Sequence, residues 1–168
     1  MKKLFLLAAL LLCICVGAIA QAKVVYDGPI GIDWKFKRSF TQSNTLFVDF
    51  VVENNTSHDF PEFGAAYSGW DSAASNSYGI TAYDDEGNMY DYDTQRQINA
   101  KNGNQYNFNR VALPKANMIK VRIRIDGIDE YATIIKTLII PVYHPGLDRL
   151  GIPGFSKLTV TNIPIPRE

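Results

Sequence analysis

The densest group of chemically capable side chains lies between residues 84 and 93. Asp84, Asp85, Glu86, Asp91 and Asp93 place five acids in ten residues. Calcium takes six to eight oxygen ligands, several of them carboxylate. Asp84, Glu86 and Asp91 are the side chains such an ion would use. The order D-x-[DN]-x-[DN]-G of a calcium loop is not met, because Gly87 comes too soon. The run reads first as the solvated tip of a hairpin and only second as a metal site. His58 sits in a turn cluster and His144 precedes Pro145. Their separation offers no metal spacing, so both read as exposed loop histidines. The only cysteines are Cys13 and Cys15, both inside the N-terminal apolar stretch. Beyond it there is no thiol for nucleophilic chemistry or for zinc and iron–sulfur sites. No serine stands in a G-x-S-x-G elbow, and there is no P-loop, G-x-G-x-x-G or H-E-x-x-H. No catalytic residue and no cofactor is expected. Carboxylate pairs leave no local signature, so a carboxylate-based hydrolase remains a third reading.

Aromatic side chains offer the other chemistry. Phe60, Phe63, Tyr67 and Trp70 fall in the irregular stretch Asp59–Asn76, rich in Gly, Ala and Ser. Long loops often carry function, and exposed aromatics stack on sugar rings or anchor a protein partner. These four residues are the candidate contact surface. Tyr67 and Trp70 would form the platform if the ligand were a carbohydrate.

Something must hold these residues in place, and the dominant pattern is period two. Ile30, Ile32, Trp34 and Phe36 alternate with Gly31, Asp33, Lys35 and Lys37. In Thr45–Glu53 the face Leu46, Val48, Phe50, Val52 is apolar, and Phe47 and Val51 make the other face partly so. That marks a central strand. Ile119, Val121, Ile123 and Ile125 face one way while Lys120, Arg122, Arg124 and Asp126 face water. Tyr78–Tyr83 and Met89–Asp93 flank the acidic loop as a hairpin. Tyr106–Leu113 is a further strand, stopped by Pro114. Ala132–Ile140 has helical spacing, but six β-branched residues and Pro141 favour a strand. Leu158 and Val160 alternate in a last strand before Pro164 and Pro166. Seven to nine short strands without a helix predict an all-β, antiparallel β-sandwich.

Two segments carry a family resemblance. Phe47-Val48-Asp49-Phe50-Val51-Val52-Glu53-Asn54-Asn55 resembles the valine-rich strand and Glu-Asn-Asn of immunoglobulin-like domains in bacterial secreted proteins. Ile80–Tyr90, with Asp84-Asp85-Glu86-Gly87 between its strands, is similar to the hairpin of the same group. The resemblance spans residues 30–93 and, more weakly, the rest. It implies an immunoglobulin-like sandwich of unknown function in a small exported envelope protein or lipoprotein.

The first twenty residues fit that destination. Lys2 and Lys3 precede an apolar stretch from Leu4 to Val16, and Ala18-Ile19-Ala20 closes it. This is the layout of a secretory signal peptide, with cleavage expected after Ala20. The apolar core is short for a membrane span. Leu12 and Ile14, the residues before the cysteines, are too large for a lipidation site, so a lipid anchor is disfavoured. The expected product, residues 21–168, is one periplasmic or secreted domain. Loss of Lys2 and Lys3 turns 17 cations against 17 acids into 15 against 17, a net charge of −2. That argues against a nucleic-acid partner and leaves a protein or a glycan. The expectation is an exported, non-catalytic envelope binding module, with a carbohydrate-binding module as the alternative.

Overall fold

The structure is a computed structural model that describes residues 21–65, 80–91, 98–102, 105–106, 111–144 and 154–167. Within them the chain forms twelve strands and no helix. They are β1 (Lys23–Tyr26), β2 (Ile32–Gln42), β3 (Thr45–Asn54), β4 (Phe60–Ala65), β5 (Thr81–Asp84) and β6 (Met89–Tyr90). The rest are β7 (Ile98–Asn102), β8 (Gln105–Tyr106), β9 (Val111–Leu113), β10 (Asn117–Asp126), β11 (Ile134–Tyr143) and β12 (Phe155–Pro164). Twelve exceeds the seven to nine expected, because short edge strands such as β1, β6 and β8 carry too few residues to show a period. With no helix among the described residues, none there is long and apolar enough to cross a membrane.

The strands form two antiparallel sheets. One has seven strands, in the order β1-β12-β11-β4-β9, with β5 also pairing β11 and β6 pairing β5. The other has five, in the order β2-β3-β10-β7-β8. β3 pairs β2 on one side and β10 on the other and is central in its sheet, as expected. The β-branched run at 134–140 is a strand, pairing β12 from Ile134 to Tyr143. Inward-facing residues of both sheets merge into one cluster. It includes Trp34, Leu46, Val48, Phe50 and Ile123 from one sheet, and Phe63, Ile135, Leu138, Ile140 and Val160 from the other. Trp34 joins the layers, with ring centroids 6.1 Å from Tyr26 and from Phe63 and 5.9 Å from Phe50. This two-layer packing is that of a β-sandwich.

Buried polar groups fix the crossings between sheets. Asn54 is buried at the end of β3. Its amide donates to the carbonyls of His58 and Leu113, and its Oδ1 accepts from Thr56. The Asn54–Asp59 turn is thereby tied to β9 before the chain enters the second sheet. At the other end, Ser39 and Thr41 of β2 donate to the carbonyls of Pro164 and Pro166, and the Ile165 amide donates to Thr133.

Candidate functional site

A bulge in β2 builds the most chemically distinctive surface of the described residues. Its register against β3 shifts between Phe36 and Arg38, so Lys37 is the extra residue. Before the bulge Ile32, Trp34 and Phe36 point into the core. Simple alternation would send Arg38 and Phe40 after them. The bulge instead turns Ser39 and Thr41 inward and places Arg38 and Phe40 on the outer face. There Arg38 lies opposite Asp49, and Phe40 opposite Phe47. From the other side β10 sets Arg122 against Asp49, Arg124 against Phe47 and Lys120 against Val51.

The side chains lock together. Arg122 donates twice to Asp49, at 2.6 Å from Nε and 2.9 Å from the terminal nitrogen. Arg38 donates to the same carboxylate through Nε at 3.0 Å. The Phe40 and Phe47 rings stack with centroids 5.0 Å apart. Arg38 and Arg122 lie over Phe40 at 5.0 and 5.1 Å, within cation–π range. Burial pushes the Asp49 carboxyl up, but hydrogen bonds and charge from Arg122 and Arg38 outweigh it and hold the group below its ordinary value. Lys35–Glu53 at 2.6 Å and Arg124–Asp126 at 2.8 Å flank this centre. The result is a positioned array of guanidinium groups, capable of charge-assisted hydrogen bonds to an anion.

The residues singled out by sequence fall elsewhere. Phe60 and Phe63 are core residues of β4, 1% and 0% exposed, and are not a contact surface. They pair with Leu113 and Val111 across a bulge. Pro61 and Gly64 break the period and make the stretch look like loop. Tyr67 and Trp70 lie outside the described residues. On sequence the acidic run reads first as a solvated hairpin tip and only second as a calcium site. Asp84, Glu86 and Asp91 do not come together, and no described group of three or more His, Cys, Asp or Glu does so. Asp84 points inward and is 2% exposed. It accepts from the Asn88 amide and side chain and from the Tyr90 hydroxyl. Asp85 accepts from Thr133 and from the Ile134 amide, binding the hairpin to the start of β11. The acidic tip is a structural knot around Gly87, whose φ of 84° closes the turn.

One constellation escaped the sequence. His144, expected in an exposed loop, is wholly buried at the end of β11. Its Nε2 is 3.0 Å from Ser156 Oγ, which in turn donates to Tyr26 Oη at 2.8 Å. A serine and a histidine at this distance are the parts of a nucleophile and its base. Here the histidine is buried and the serine half-buried. Gly28 crosses so closely that a Cβ there would collide with the Tyr26 ring and sit 2.6 Å from Ser156 Oγ. Burial raises the Tyr26 hydroxyl above its ordinary value, against the hydrogen bond from Ser156. The three side chains clamp β1, β11 and β12 together. No sequence signal marked them, since their separations are 12 and 130 residues. Compared with protein-family models, with curated proteins and with solved structures, the chain matches none.

Proposed function

We propose that the chain is an exported, immunoglobulin-like β-sandwich that serves as a binding module of the bacterial envelope and carries out no chemistry of its own. The immunoglobulin-like assignment draws on the way the chain alternates between its sheets. β1 and β2, β3 and β4, β9 and β10, and β10 and β11 are successive strands in opposite layers. The observation that carries the functional reading is the Arg38–Asp49–Arg122 array over Phe40 and Phe47. Arginine and aromatic side chains fixed on a flat face have the composition of recognition surfaces. Sequence placed the contact region at Phe60, Phe63, Tyr67 and Trp70; this array supports the outer face of the five-stranded sheet instead.

The test uses residues 21–168 immobilised and exposed to an envelope extract, alongside a panel of chromogenic esters and glycosides. The reading expects a retained partner that Arg38→Gln releases, and no turnover. Ester or glycoside turnover abolished by His144→Ala would overturn it.

A further inference from the structure

The outer face of the five-stranded sheet has an order that specifies more than positive charge. Register sets its side chains in rows across β2, β3 and β10. One row is Lys35, Val51, Lys120; the next is Arg38, Asp49, Arg122; the next is Phe40, Phe47, Arg124. Cations thus stand in two columns, on β2 and on β10, with β3 between them. Neighbouring strands are about 4.8 Å apart, so the columns are separated by roughly 9.6 Å. Along a strand, same-face residues recur about every 6.7 Å. Asp49 holds two guanidinium groups at once, and on the same face Glu53 pairs Lys35 and Asp126 pairs Arg124, which leaves Lys120 and part of Arg38. Arg38 gives Asp49 only Nε–H, so among the described residues its terminal nitrogens have no carboxylate. Lys120, too, is exposed and has no acidic partner among the described residues.

We infer that this face is a docking surface for an extended acidic segment of a partner protein, one with carboxylates at alternate positions. The inference rests on the binding-module reading and adds the chemistry of the ligand. An extended peptide presents alternate side chains on one face with the same repeat of about 6.7 Å, so its carboxylates keep step with the cation columns. Lying along β3, it would cover Val51 and set its acids against Lys120 and Arg38. Charge complementarity favours this occupant over a bilayer. Peripheral membrane binding combines cations with exposed apolar side chains. Here the Phe40 and Phe47 faces are taken up by each other and by the arginines.

Fluorescently labelled peptides of alternating Asp and Thr, of the same composition in two blocks, and of alternating Lys and Thr supply the probes. Each is titrated by anisotropy with residues 21–168 at low ionic strength, where such contacts are least screened. The alternating acidic peptide is expected to bind best. Arg38→Gln and Lys120→Gln should each weaken it about fivefold, while Lys136→Gln on the other sheet leaves it unchanged. Matching thermal melts show that the variants fold. Equal binding of the block peptide, or indifference to Arg38→Gln, overturns the inference. So does binding to phosphatidylglycerol vesicles in place of the peptide, or self-association in sedimentation. If the peptide fails while Arg38→Gln still releases a partner from envelope extract, only the ligand chemistry falls. If both fail, the binding-module reading falls with it.

Discussion

Asp84 shows how one side chain sets a pH dependence. Burial raises its carboxyl, but hydrogen bonds from Tyr90 and Asn88 outweigh that and lower it. Asp85 is lowered by Thr133 and Ile134, and Asp49 by its two arginines, each against burial. A carboxyl lowered on folding takes up protons more readily in the unfolded chain. Its contribution is therefore complete above the unfolded value of about 3.9 and is lost as pH falls through the folded value. Urea midpoints should hold near neutrality and fall below about pH 4. Asp84→Asn confronts the Tyr90 and Asn88 donors with an amide. It should cost about 1–3 kcal/mol at neutral pH and flatten the acid limb of the pH profile. A limb as steep as wild type would show that Asp84 does not supply it. Gly28 is the second sensitive position. A methyl group there must displace the Tyr26 ring and Ser156. Gly28→Ala should lower stability by about 1–3 kcal/mol, read as a shift in melting temperature, and Tyr26→Phe should change that cost by altering the same contact.

At the scale of elements the bulge at Lys37 makes the sharpest prediction. Because Lys37 is the extra residue, deleting it would keep Arg38 and Phe40 on the outer face, whereas deleting Ser39 drives Phe40 toward the core and Thr41 out of it. The Ser39 deletion should lose about 2 kcal/mol or more, as forcing a large side chain into a packed core does. Lys37→Ala keeps the bulge and should stay within about 0.5 kcal/mol. Equal urea midpoints for the two variants would sink the assignment. The same bulge explains where sequence reading stopped. Period two was enough to place Leu46, Val48, Phe50 and Val52 on one face, and to orient β10 and its basic side. β-Branching was enough to make 134–140 a strand. One inserted residue leaves no trace in composition, so the Arg38–Phe40–Asp49 grouping stayed hidden although every member was visible. Phe60 and Phe63 were misplaced for a related reason, since a second bulge in β4 replaces the alternation that would have marked them as core. His144 and Asp84 were read as solvated because their residue types usually are. Their partners, Ser156 and Tyr90, are supplied by pairing across strands.

At the scale of the molecule, stability depends on how the two sheets are joined, and the C-terminal segment is one of the fasteners. Ile165 is buried, Pro166 accepts from Thr41, and Arg167 donates to the carbonyls of Asp129 and Ala132. Removing 165–168 should therefore cost about 2–4 kcal/mol, from one buried aliphatic side chain and the bonds lost with it. Non-covalent joints of this kind must suffice, because the chain from residue 21 onward has no cysteine to cross-link the layers. Cys13 and Cys15 belong to the expected signal segment. Export with cleavage after Ala20 then predicts a secreted product that begins at Gln21. Its melting temperature should be the same with and without reductant. Intact mass reads the first claim and paired thermal scans the second. A mass retaining Cys13 and Cys15, or a melting temperature lowered by reductant, would mean that the thiols remain in the finished protein. Even then a bond between Cys13 and Cys15 would close only a few residues of the N-terminal segment, and the layers would still be held by the buried core with Trp34 bridging them.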